Sequence, residues 1–319
     1  MPGKSRKARF IATASVAVFV SSASLSCSSN DAGDGAPSSV KADDVSSERA
    51  ALLVRGKSET VVDSIASIEN SMFTRAGRLF VTGDDGIYEI TRDASGVARS
   101  TAYGAGSGCK FAGMAESNDV LYVNCYDGTN SSVFAAKLEV APSFRKIYDL
   151  PGVALANGAA ADDSGRLYVA DSTHGNIFRL TVDATDPFTI TQREAFSTGN
   201  LFPNGLKVFD GAVYYTDFVA VKRIPLLSGG RAGPVTTLAT QLTFFDDLYV
   251  DDRGILVANY LFGSVEALTS AGADVLDTAA FTFNGPSSVL PAMGRLGFGN
   301  DDYLVTEKSG NKLTVFHLN

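Results

Sequence analysis

The chain has 319 residues, 45% of them hydrophobic and 19% charged, with a formal net charge of -8, many Phe and Tyr, and no Trp. That length and composition suit a single all-β domain with a large core of its own. The acidic balance repels a polyanionic backbone, so a nucleic-acid partner is excluded as a working expectation.

Lys4, Arg6, Lys7 and Arg9 precede an apolar run from Phe10 to Val20, and small residues follow as far as Cys27. This order reads as a signal peptide over residues 1–26, and the run is shorter than the roughly 20 residues a spanning helix needs. Removing it takes away four positive charges, which leaves the mature chain near -12 (-8 minus 4). Ser24-Leu25-Ser26-Cys27 is similar to a bacterial lipobox, whose Cys is acylated, although its leucine stands two rather than three places before the Cys. Ser28 follows in place of Asp, which in a Gram-negative host favours the outer membrane. A plain signal peptide with a Cys in its cleavage zone is the alternative. Residues 27–48, rich in Ser, Asp, Gly and Ala without apolar periodicity, read as an anchored flexible linker. The expectation is an exported lipoprotein of the cell envelope that touches the membrane only through acylated Cys27, with a monomeric folded domain over residues 49–319.

From residue 76 onward one pattern recurs six times. A turn signal precedes a strand of β-branched and aromatic residues, as in Ala76-Gly77-Arg78-Leu79-Phe80-Val81-Thr82 and Ser164-Gly165-Arg166-Leu167-Tyr168-Val169-Ala170. Taking Phe80, Tyr122, Tyr168, Tyr214, Leu256 and Leu304 as equivalent, the intervals are 42, 46, 46, 42 and 48 residues. Each copy has a shorter apolar strand before it and another after it. This period fits one four-stranded propeller blade, so the sequence predicts a six-bladed β-propeller of antiparallel blades. The last copy ends one strand short after Lys312–Leu318, and Leu52–Val62 can supply that strand and close the ring. In blade two, a hairpin turning near Ser117-Asn118 sets Cys109 opposite Cys125, a candidate disulfide in an oxidising compartment; two separate buried thiols are the alternative.

The first strand of each blade lines the central tunnel. Counting back ten or eleven residues from the anchors reaches Glu69, Asn157, Asn204 and Asp246 at the strand starts of blades one, three, four and five. Blades two and six offer Ala112 and Ser287 near this level. Two carboxylates and two amide carbonyls form an all-oxygen set suited to a hard cation, Ca²⁺ first and Mg²⁺ or Mn²⁺ behind it, and unsuited to zinc. The competing reading is structural: Asn157-Gly158 and Asn204-Gly205 are also hairpin-turn signals, and the four polar residues could simply cap strand starts.

With these residues in view, the chain from about residue 60 onward resembles the six-bladed gluconolactonase, regucalcin and diisopropylfluorophosphatase group. The resemblance implies a divalent cation, usually calcium, held by a Glu of blade one, Asn residues of blades three and four and an Asp of blade five, which Glu69, Asn157, Asn204 and Asp246 match in type and order. It further implies hydrolysis of a small-molecule lactone or related ester, with Asp246 as general base or nucleophile. The departures are Asn70-Ser71-Met72 where Pro is common, Asp247 where Gly is usual, and Leu155 where sugar lactonases place an Arg, which counts against a sugar lactone. Asp84, Asp85, Tyr126, Asp127, Ser172 to His174, Asp217, Phe218, Asn259, Tyr260 and Glu307 are expected on the rim, with His317 structural. Two further readings are a non-catalytic ligand- or protein-binding propeller of the envelope, and a metal-free propeller similar to strictosidine synthase.

Overall fold

Asn118 and Asp119 both take positive φ, 49° and 59°, the two-residue reversal whose twist matches the strands it joins, Lys110–Ser117 and Val120–Tyr126. Asp210-Gly211 does the same between Pro203–Phe209 and Ala212–Asp217. Turn signals of the repeat thus reverse the chain between the innermost strand of a blade and the second strand. The second strands are Leu79–Gly83, Val120–Tyr126, Arg166–Asp171, Ala212–Asp217, Gly254–Asn259 and Tyr303–Glu307, the six copies recognised in the sequence. The computed structural model describes residues 56–104, 108–268 and 278–318; the expected signal peptide, Cys27, the linker and Leu52–Arg55 lie outside them.

The strands form six small antiparallel sheets arranged as a six-bladed β-propeller. Blades one, two and three are four-stranded meanders. Blade four adds the two-residue strand Arg231–Ala232, and blade five shows three strands among the described residues. Gly56–Val62 pairs with Lys312–Leu318 as the outermost strand of blade six, from Gly56 opposite Leu318 to Val62 opposite Leu313. The ring is therefore closed by its N-terminal strand, as the missing strand in the last repeat required.

The core lies between adjacent blades, where alternate residues of the second strands interleave. Tyr168 and Tyr215, fully buried, pack with Ala160, Ile177 and Leu206 between blades three and four. Each such ring contributes about 1.5–3 kcal/mol by leaving water. Their hydroxyls stay satisfied on Asp162 Oδ2 (2.9 Å) and Asn200 Oδ1 (2.9 Å). Cys109 and Cys125 form a disulfide with Cα atoms 5.3 Å apart, tying the chain ahead of blade two's innermost strand to its second strand. Its register differs from the expectation: the turn is centred on Asn118-Asp119, and Cys125 faces Phe111. Cys109 therefore reaches Cys125 diagonally.

Candidate functional site

A shared irregularity points side chains into the tunnel. In blade two, Phe111 pairs with Cys125 but Met114 pairs with Val123, so Ala112-Gly113 oppose the single residue Asn124. The same two-against-one bulge places Asn157-Gly158 opposite Ala170, Asn204-Gly205 opposite Thr216, and Asp246-Asp247 opposite Ala258. In blade one Glu69 N–H donates to Thr82 O (2.8 Å) while Thr82 N–H donates to Asn70 O (3.0 Å). A bulge bends its strand and re-aims a side chain. Every predicted site residue occupies the first position of one.

The second position explains the Asn-Gly pairs. A Cβ on Gly158 would stand 2.0 Å from Asn204 O, and one on Gly205 2.6 Å from Asp247 Cα. Neither glycine has positive φ, so the pairs are not turns: glycine is needed because the next blade's backbone comes too close for any side chain. Blade five keeps Asp247 at this position. Asp247 Oδ2 accepts from Asn70 Nδ2 (2.8 Å), the corresponding residue of blade one, and Lys207 Nζ donates to both its oxygens (3.1 and 3.0 Å).

The bulges are pinned from the neighbouring blade. Thr82 Oγ1 donates to Ala112 O (2.8 Å), Asn124 Nδ2 to Asn157 O (2.9 Å), Thr216 Oγ1 to Asp246 O, and Thr306 Oγ1 to Glu69 O (3.0 Å). In each case a side chain two residues past the repeat's aromatic or leucine anchor holds the carbonyl of the next blade's tunnel residue. Such a bond contributes about 1 kcal/mol and fixes where that carbonyl, and so its side chain, stands.

Glu69, Asn157, Asn204 and Asp246 all line one pocket of about 300 Å³ at the tunnel mouth. Asn204 Nδ2 donates to Asp246 Oδ1 (2.6 Å), which orients that carboxylate. Burial first, and then the Glu69 charge, push the Asp246 carboxyl well above the usual range, against the opposing pull of Lys308 and the Asn204 hydrogen bond. Lys308 also lines the pocket, and its ammonium forms an ion pair with Glu69 Oε2. Burial disfavours this ammonium, but Glu69 and Asp246 together outweigh it and raise its proton affinity. Glu69 Oε2 finds no well-aligned hydrogen-bond donor, so the ion pair is what it has. In donor type the set fits a hard divalent cation: oxygen ligands only, with two carboxylates sharing a buried pocket that already recruits positive charge. Among the described residues no three His, Cys, Asp or Glu side chains gather as a metal cluster, here or elsewhere, so the set depends on its two Asn carbonyls beside the two carboxylates.

Lys308 escaped the sequence reading, as did Phe202, Phe244 and Lys110, which line the pocket beside the expected Asp84, Tyr126 and Tyr260. The rim also needs correction. Asp217, Asn259 and Glu307 are buried and spent on their own loops: Asp217 Oδ1 accepts from Phe202 N, Asn259 Oδ1 from Phe262 N (3.2 Å), and Glu307 Oε2 from Asn284 N (2.7 Å). His174 Nδ1 pairs with Asp171 Oδ2 (2.9 Å), outside the pocket lining. His317 Nδ1 pairs with Asp302 Oδ1 (2.8 Å), the structural role expected of it. The signal for Lys308 was weak, a lysine directly after the last repeat's second strand.

No family model matches the chain, and no curated protein matches it. Solved structures do. One described as a gluconolactonase is 16% identical with a TM-score of 0.61, covering 85% of this chain and 96% of that chain. Regucalcin of Agrobacterium tumefaciens, described as a calcium-binding protein, is 14% identical with a TM-score of 0.61, covering 84% and 95%. A chain of a nidogen/laminin complex is 17% identical with a TM-score of 0.58, covering 76% and 89%. At these identities the likeness establishes the shared propeller fold, which serves more than one function.

Proposed function

We propose that the chain is a divalent-cation-dependent hydrolase of lactones or related esters, calcium being the preferred cation, anchored in the cell envelope through Cys27. The reading is supported above all by the convergence of Glu69, Asn157, Asn204 and Asp246 in one buried pocket. Those four side chains would hold the cation, which would polarise the carbonyl under attack and stabilise the charge that develops on its oxygen.

Asp246 acts as general base towards the attacking water, or as the nucleophile itself. Its Oδ1 is fixed by Asn204, which leaves Oδ2 to take the proton. Burial and the neighbouring Glu69 raise its proton affinity in the metal-free protein, whereas a bound cation would lower it, so the orientation set by Asn204 carries much of its part. Glu69 contributes charge rather than proton transfer, and without a divalent cation Lys308 balances it.

Calcium content and lactone turnover of the full-length protein test the reading, beside Asp246→Ala and Lys308→Met. The parent is expected to hold one calcium and to turn over; Asp246→Ala loses both, with turnover down by about 10²–10⁴-fold, and Lys308→Met binds calcium tighter by about tenfold or more as a competing charge is removed. Calcium without turnover on a lactone, ester and phosphotriester panel favours the binding-module reading. No calcium at saturating concentration overturns the cation assignment.

A further inference from the structure

The mouth of the pocket is divided. On one side stand Asp84, ion-paired to Lys110 (3.0 Å), and Tyr126. On the other stand Phe202, Phe244 and Tyr260, supplied by three different loops of blades four and five. These rings support one another: Phe244 meets Tyr260 edge-on at 6.0 Å and Phe202 at a tilt at 5.8 Å, centroid to centroid. Phe218 continues the wall outward, 5.6 Å from Phe244 and 42% exposed. Leu242, two residues before Phe244, is 89% exposed.

The segments that carry these rings, 198–203, 218–221, 240–245 and 259–265, are free of Asp, Glu, Lys and Arg. The corresponding loops of blades one to three carry Asp84, Asp85, Lys110, Asp127 and His174. A single exposed apolar residue needs no explanation, but rings that continue without a break from the quartet's own pocket to solvent do. The one polar group the wall offers, Tyr260 Oη, already meets Ser309 Oγ (2.9 Å). Hydroxyl groups of a polyol laid on this wall would be left without partners, at a cost a hydrocarbon does not incur.

We infer that Phe202, Phe244 and Tyr260, extended by Phe218, form an apolar subsite, and that the substrate is a lactone or ester whose non-reacting part is an alkyl chain or aryl group. The identity of the reacting group rests on the hydrolase reading above; the subsite itself does not. With the carbonyl at the quartet, the rest of such a substrate runs outward along the rings. Specificity then comes from burial of hydrocarbon, and each methylene that reaches the wall raises kcat/KM about fourfold, the equivalent of ~0.8 kcal/mol.

The test uses full-length protein and γ-lactones bearing alkyl groups from methyl to octyl, together with the matching γ-alkyl lactams, which bind without being hydrolysed. Expected are a kcat/KM that climbs with chain length before levelling off and lactam dissociation constants that fall in parallel. Phe244→Ala should reduce the octyl-to-methyl ratio at least tenfold in both series, whereas Phe244→Leu keeps most of it. Phe218→Ser, on a half-exposed ring where folding is not at stake, should lower the ratio only for the longest chains. A flat profile in both series, or preference for polyhydroxylated lactones, overturns the subsite. So does a result in which, with Cys27→Ser removing the proposed acyl anchor, Phe218→Ser abolishes co-sedimentation with phosphatidylethanolamine–phosphatidylglycerol vesicles and leaves the chain-length profile unchanged, since the rings would then serve a lipid surface. Lactam binding that scales with chain length without any lactone turnover sinks the hydrolase reading and keeps the subsite. Turnover that ignores chain length does the reverse.

Discussion

Blades one, three, four and five meet the tunnel with Glu69, Asn157, Asn204 and Asp246, whereas blades two and six meet it with Ala112 and Ser287. The backbone beneath these residues is nearly the same. Ala112 sits in the same two-against-one bulge as Asn157 and is held by Thr82 as Asn157 is held by Asn124. Ser287, at the register shift of blade six, donates to Ile68 O (2.9 Å) and is absorbed into the seam with blade one. The repeat therefore supplies a ring of equivalent, pre-aimed positions, and the chemistry of the mouth depends on which of them carry an oxygen ligand. The cost of making the ring falls on the bulge glycines and the inter-blade hydrogen bonds, not on the site residues themselves.

The strongest way to break this comparison is at a bulge glycine. Gly158→Ala places a methyl group against the Asn204 carbonyl, and backbone cannot move aside as a flexible side chain could. The expected loss is about 3 kcal/mol or more of stability, read by urea denaturation; a loss under 1 kcal/mol would mean the blades do not approach as closely as described.

A smaller effect, with a change of sign, is expected at Asp246. Its carboxyl is raised on folding, so the native state favours the protonated form. In the metal-free protein Asp246's contribution to stability is full below the ordinary aspartate range and is lost as pH rises through the raised native value. Asp246→Asn keeps an acceptor for Asn204 and carries no charge. In chelator at neutral pH it should melt a few degrees above the parent, with a flatter dependence on pH. In saturating calcium it should melt below the parent, because a ligand is gone. The same order of melting temperatures in both conditions would count against Asp246 as a cation ligand.

The mildest test sharpens the comparison between blades. Thr216 holds the Asp246 carbonyl, while blades three and five have Ala170 and Ala258 at the equivalent position and still close. Thr216→Val should therefore cost only about 1–2 kcal/mol of stability. Turnover should fall more than stability suggests, since the carbonyl it releases belongs to the proposed base. Each hydroxyl also accepts from a bulge N–H, Gly205 for Thr216 and Asn70 for Thr82, so Thr216→Val and Thr82→Val differ chiefly in whether the freed carbonyl belongs to Asp246 or to Ala112; equal effects on turnover would assign both threonines to folding alone.

The blade repeat was legible because strand alternation and turn chemistry are local, and six copies average out the irregularities of each. The quartet was legible for a related reason: counting back from Phe80, Tyr168, Tyr214 and Leu256 works wherever turn length is known. Lys308 was not, because no repeat position corresponds to a side chain that folds back from the turn after Glu307 onto Glu69, 239 residues earlier (308 minus 69). Asp217, Asn259 and Glu307 were misread in the opposite direction. Each ends its blade's second strand and turns back to satisfy a loop N–H of the same blade, Phe202 and Asn284 just ahead of the innermost strands and Phe262 in the following turn, a demand that strand alternation does not register. The Asn-Gly pairs carried a turn signal that the close approach of neighbouring backbones overrode.

The strand that closes the ring has a consequence for the order of events in folding. Gly56–Val62 leaves the ribosome early, yet its partner Lys312–Leu318 is made more than 200 residues later. Five blades can assemble from neighbouring segments as they appear, but the sixth must wait with an open edge on each side. An edge of that kind will pair with any extended chain it meets. The interval between the first strand and the last is therefore when the molecule is most exposed to swapping strands with another copy of itself, and its safest passage is one in which the early strand is kept apart until the late one arrives.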